Sequence, residues 1–132
     1  MKISDIYTMA YPMVAKPRSA EGVVAETTEP DYSESVPQLI NALTIEQTAL
    51  AGIYATVSGT EAGFSPLRVD SINDLLPLPE RFTPAAVYYI AEKLSYKNSY
   101  ETAGHLHKLY VEEVDKIRRE LPGVAGSITE VY

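Results

Sequence analysis

Ala103, Leu106, Tyr110, Val114, Ile117 and Leu121 recur at steps of three or four along the chain. That period is an α-helix seen from one side, and a chain carrying it over about five turns must find an apolar partner for that face. Lys116, Arg118 and Arg119 fall at the negative end of the helix dipole, and Pro122-Gly123 ends the run. Upstream, Asn98-Ser99-Tyr100-Glu101 predicts the start, with Asn98 as N-cap and Glu101 three residues on.

The partners for that face are also written as helices. Thr83-Pro84-Ala85-Ala86 pairs an N-cap threonine with a first-turn proline, and Val87, Ile90, Ala91 and Leu94 then share one face. The short break at 98–101 makes these two helices a tight hairpin. Ser35-Val36-Pro37-Gln38 reads as a capping box, and one helix is expected from there to Val57, striped by Leu39, Leu43, Leu50, Tyr54 and Val57 and widened by Ile40 and Ile53. Ser58-Gly59 stops it. A shorter first helix is expected over Ile3 to Val14, on Ile3, Ile6, Tyr7, Ala10 and Val14, with Pro12 bending its end.

Between these helices the composition shifts. Residues 15–35 contain Pro17, Gly22 and Pro30 with Glu21, Glu26, Glu29, Asp31 and Glu34, which predicts an acidic loop: a solvated linker, or a segment that orders against a partner. Gly63 to Arg81 carries Pro66, Pro77 and Pro79 among Leu67, Val69, Ile72, Leu75, Leu76 and Leu78. It reads as irregular but tied down, with room for a short strand at Leu67 to Val69. Val124 to Tyr132 is β-prone and has few ways to pack locally, so it either frays or adds to another chain. The expectation is an all-α fold, a small bundle of about four helices in a single domain over 1–121, with a long acidic loop and an extended tail over 122–132.

Composition removes several function classes. A formal charge of −7 and a pI near 4.8 argue against a nucleic-acid binder, which needs clustered Lys and Arg to neutralise phosphates. No apolar run reaches the roughly 20 residues of a membrane-spanning helix, and Met1 to Asp5 lacks the pattern of a signal peptide, so a cytosol-like compartment is expected. The chain has no cysteine, which rules out disulfides and thiolate chemistry. Its ten tyrosines, against two phenylalanines and no tryptophan, suit half-buried surfaces and interfaces.

The residues that could carry chemistry are poorly arranged for it. His105 and His107 are two apart, so on a helix they point about 200° from one another and cannot share a metal. Glu101 and His105 lie one turn apart, a spacing that more often caps and solvates a helix than catalyses. Glu112, Glu113 and Asp115 have Lys108, Lys116 and Arg119 within one or two turns, which predicts a solvated charged face. Serines and threonines are plentiful without a nucleophile elbow, and there is no glycine-rich phosphate loop. Tyr88-Tyr89 with Tyr96 reads as packing or a subunit interface, since a base-stacking platform needs a basic surround. The expectation is no enzyme activity, no catalytic residue, no cofactor and no metal.

Two stretches carry a family resemblance. Ile3-Ser4-Asp5-Ile6-Tyr7-Thr8-Met9-Ala10 resembles the opening of small head-to-tail adaptor proteins of tailed phages and prophages of Gram-positive bacteria. Asp74-Leu75-Leu76-Pro77-Leu78-Pro79-Glu80-Arg81-Phe82, followed by Ala85-Ala86-Val87-Tyr88-Tyr89-Ile90-Ala91 and the long helix to Leu121, is similar to the helical core of that connector group. The ending Ser127-Ile128-Thr129-Glu130-Val131-Tyr132 also has its flavour. The resemblance implies a virion structural protein made in the bacterial host cytoplasm and placed in the virion neck. There it would form a ring of its own copies, commonly twelve, beneath the portal protein, and would join head to tail alongside a tail-side neck protein. DNA would pass through without specific binding. On that reading Ile128, Val131 and Tyr132 form a docking strand, and Leu75, Leu76, Leu78 and Phe82 anchor their loop to the bundle. The alternative is a small acidic cytosolic helical adaptor or regulatory protein that binds one protein partner.

Overall fold

The computed structural model describes residues 1–16, 31–57 and 67–121. Among them the chain is all-α, with α1 Ile3–Ala10, α2 Val36–Glu46, α3 Thr48–Val57, α4 Thr83–Ser95 and α5 Tyr100–Arg119. Single 3-10 turns at Tyr11–Met13 and Glu80–Phe82 follow α1 and precede α4. The expected acidic loop falls largely, and the expected docking strand of Ile128, Val131 and Tyr132 entirely, outside the described residues.

Helix α4 is the hub. Ala85, Ala86, Val87, Tyr89, Ile90, Ala91, Glu92, Leu94 and Ser95 are all buried, so it is covered on several sides rather than on the one face its Val87-Ile90-Leu94 spacing predicts. It packs most extensively on α5 and also against α1 and α2, and its alanines let those backbones come close. The α5 stripe contributes Ala103, Leu106, Tyr110, Val114 and Ile117 to the same interior, and α1 adds Ile3, Ile6 and Ala10, each fully buried.

Four local expectations are corrected. The single helix over 36–57 is two, because Gln47 leaves helical geometry (φ −104°, ψ 11°) and buries its side chain, donating from Nε2 to the Tyr110 hydroxyl at 2.7 Å. The hydroxyls of Thr44 and Thr48 bond back to the carbonyls of Ile40 and Thr44, which bends a helix at the same place. The bend turns Ile53 and Val57 to solvent, 37 % and 57 % exposed, out of the predicted stripe. Ser35 is already helical in backbone and makes no capping bond, so the capping box does not form. Thr83 lies inside α4 because the 3-10 turn runs straight into it. For α5 the cap is Ser99, whose Oγ accepts from Thr102 N at 3.1 Å, while Asn98 donates to the Ala15 carbonyl instead.

The segment 67–82 is tied down along its length. Asn41 of α2 clamps Val69 with both amide atoms, Nδ2 to the carbonyl at 2.8 Å and Oδ1 from the N–H at 2.9 Å. That engagement uses the backbone groups a strand at Leu67 to Val69 would need, and no strand forms there. The Ile3 and Ser4 amides, which a helix start leaves without partners, donate to the Asp74 and Ile72 carbonyls at 3.0 and 2.8 Å. Leu76, Leu78 and Phe82 are buried in the common core. Leu75 is not: it is 65 % exposed, because its backbone faces Lys2 in an isolated antiparallel bridge and alternation then turns its side chain outward. Arg81 fixes the far end of the segment to α5, its Nε 2.7 Å from Glu120 Oε2 and a guanidinium NH 3.7 Å from Glu113.

Candidate functional site

The hairpin of α4 and α5 encloses a polar aromatic network that begins at Glu92. This carboxylate is 1 % exposed, yet three polar groups face it: the Tyr96 hydroxyl, which donates at 2.8 Å, His107 Nδ1 at 3.1 Å and Lys93 Nζ at 3.5 Å. Tyr89, Glu92 and Tyr96 are spaced by three and four on α4, so they line the side that faces α5. The Tyr89 and Tyr110 rings meet at 5.4 Å, and the Tyr110 hydroxyl carries the network onward by donating to Glu46 at 3.2 Å while accepting from Gln47. The Lys93 ammonium lies over both Tyr89 and Tyr96.

Burial pushes the Tyr110 phenol far above its ordinary pKa; the bond from Gln47 acts the other way, and the Glu46 carboxylate adds to the rise. Tyr89 is raised by burial first and then by Glu46 and Glu92. Tyr96 is raised chiefly by the hydrogen bond it donates to Glu92, which only the neutral phenol can make. Of the contacts on Glu92, the one to His107 ties α4 to α5 from inside the hairpin. Removing the groups around Glu92 is therefore costlier than removing the carboxylate with them. Lys93→Ala with His107→Ala leaves the buried carboxylate with Tyr96 alone and is expected to lower the unfolding free energy by about 1–3 kcal/mol, most of it recovered by adding Glu92→Gln, as read from urea midpoints.

The sequence placed Tyr110 on the apolar face of the last helix and read Tyr89 and Tyr96 as packing, but the polar links among them were not read. Glu92 lay off the predicted apolar face, and Gln47 fell inside the single helix expected up to Val57. The 3–4 spacing of Tyr89, Glu92 and Tyr96 facing a tight hairpin partner was the available signal. His105 is exposed and makes no hydrogen bond with Glu101 among the described residues, and His107 turns to Glu92 instead of sharing a ligand with it. Lys116 pairs with Glu113 and Arg118 with Asp115 on the charged face. Among the described residues no three His, Asp or Glu side chains gather to hold a metal, and no helix is long and apolar enough to cross a membrane.

A second feature lies on the outside. Asn41, Thr44, Ile45, Leu67 and Arg68 line a shallow groove of about 250 Å³ where the α2 surface meets the clamped segment. Ile45 and Leu67 are 78 % and 68 % exposed there, which places two large apolar side chains together in water. The chain matches no known family model, no curated protein and no solved structure.

Proposed function

We propose that the chain is a virion structural protein of the head-to-tail connector type, which joins head to tail by forming a ring of its own copies beneath a portal protein. The observation that carries this reading is the outward pair Ile45 and Leu67, whose exposure is best relieved by a neighbouring subunit. Its position supports the same reading. The groove is lined from α2 and by Leu67 and Arg68, which open the segment that runs on into the Leu-Pro-Leu-Pro stretch resembling the connector group. That segment is held on α1, α2 and α5, so a contact made there would be positioned by the whole bundle.

Light scattering across a concentration series, alone and with a candidate portal protein, tests it. A ring-sized mass in either condition supports the connector. A fixed one-to-one complex with a single partner, or a small species indifferent to the portal, supports the alternative, a small acidic helical adaptor. Ile45→Asp is expected to abolish the ring without altering helical content, because the side chain is mostly in solvent already. Removing the residues after Gly123 is expected to preserve the helical signal and weaken assembly, since the periodic core ends at Leu121.

A further inference from the structure

Helix α5 carries a second stripe besides the one in the core. Tyr100, Gly104, His107 and Val111 are spaced four, three and four, the repeat of a helix-pairing seam, and they lie on its outer side. Tyr100 is 80 % exposed and Val111 40 %, and the His107 side chain is 54 % exposed beyond its bond to Glu92. Gly104 sits in the interior of the longest helix, where glycine is a poor helix former, and a Cβ built there meets nothing within 4 Å. Neither the helix nor its packing within the chain asks for a glycine at that position. A second helix crossing close at that point would.

We propose that this face pairs two copies of the chain through antiparallel α5 helices. In the antiparallel register that sets Gly104 against the His107 ring of the other copy, Tyr100 lies opposite Val111, so glycine faces histidine in two of the four layers and valine faces tyrosine in the other two. The flanking charges match under the same two-fold. Glu101 and Lys108 border the seam on one side, and antiparallel pairing brings each near the other in the second copy. Within the chain neither makes an ion pair among the described residues, whereas Lys116 and Arg118, farther along α5, are paired with Glu113 and Asp115. The helix dipoles also oppose one another favourably. The first layer is preformed, since Tyr100 already stands edge-on to Tyr96 at 6.2 Å, and Tyr96 is held by Glu92. The pairing concerns the free chain and goes beyond the connector reading: a two-fold contact closes at two copies, whereas a ring needs a repeating one.

Sedimentation equilibrium of the full chain tests the pairing, against Gly104→Leu and Lys108→Glu. Since the added side chain at 104 meets only open space within the chain, Gly104→Leu is expected to keep or raise the thermal midpoint while weakening dimerisation at least tenfold. Lys108→Glu is expected to weaken it severalfold, and Glu101→Lys combined with Lys108→Glu to restore it. A wild-type chain that stays monomeric, or that assembles directly into rings without a dimer, overturns the proposal. So does a dimer indifferent to Gly104→Leu, or a charge swap that fails to rescue. The ring reading stands or falls separately, on Ile45→Asp and the portal.

Discussion

Phe82→Ala is expected to lower the unfolding free energy by about 3–5 kcal/mol, the range for removing a fully buried aromatic side chain from a core that cannot collapse around the gap. Phe82 is wholly buried, stands edge-on to Tyr54 of α3 at 6.1 Å and ends the 3-10 turn that feeds α4. The void would therefore open where α3, the clamped segment and the hub helix meet, and that segment is held at both ends by Asn41 and Arg81. Urea unfolding followed by far-ultraviolet circular dichroism measures the effect. Leu75→Ala, seven residues earlier on the same Leu-Pro-rich segment, is the internal comparison: at 65 % exposure it should shift stability by no more than about 0.5 kcal/mol. Equal effects from the two would mean that the segment is not anchored as described. Because the groove at Ile45 and Leu67 is built on this segment, Phe82→Ala should also weaken any assembly made there, in proportion to the stability lost.

The contrast between Leu75 and its neighbours marks how far the sequence could be read. Apolar residues at helical spacing are a local signal, so α1, α4 and α5 were legible, as was the irregular, anchored character of 67–82. Which of four apolar residues in a non-periodic stretch points inward depends on what the backbone is bound to. Here that is Lys2, more than seventy residues away in the chain. The break between α2 and α3 was hidden for the same reason. Gln47 has no helix-breaking chemistry of its own, and what draws it out of the helix is the Tyr110 hydroxyl on α5. The caps failed by small margins, one residue at Asn98 against Ser99 and one at Thr83, since several polar residues in a row can each serve and tertiary bonds select among them. Glu92 was the largest omission. A glutamate beside an apolar stripe reads as surface until the facing helix is placed, and only then do Tyr96, His107 and Lys93 converge on it.

Four raised phenols, three of them in that network, govern alkaline stability. In an unfolded chain each phenol ionises near its ordinary pKa of about 10, whereas Tyr7, Tyr89, Tyr96 and Tyr110 are all raised in the fold. Above about pH 10 the folded state therefore retains protons that the unfolded state has lost. Stability that is fully present below that pH is expected to fall as pH rises toward the folded-state values. Tyr110 carries the steepest share, since the residue is 4 % exposed and burial is the first cause of its shift. Tyr96, more than a third in water, contributes little. Tyr110→Phe separates two effects of one hydroxyl. Near neutral pH it should cost about 1–3 kcal/mol, because the buried Gln47 amide loses its acceptor while its apolar surroundings stay the same. Above about pH 10 the variant should lose stability less steeply than the wild type, by about one proton's worth of slope, so the two unfolding curves converge. Urea midpoints at neutral and alkaline pH decide it. Parallel curves would mean that the Tyr110 phenol ionises freely in the fold and that the hairpin does not hold it dry.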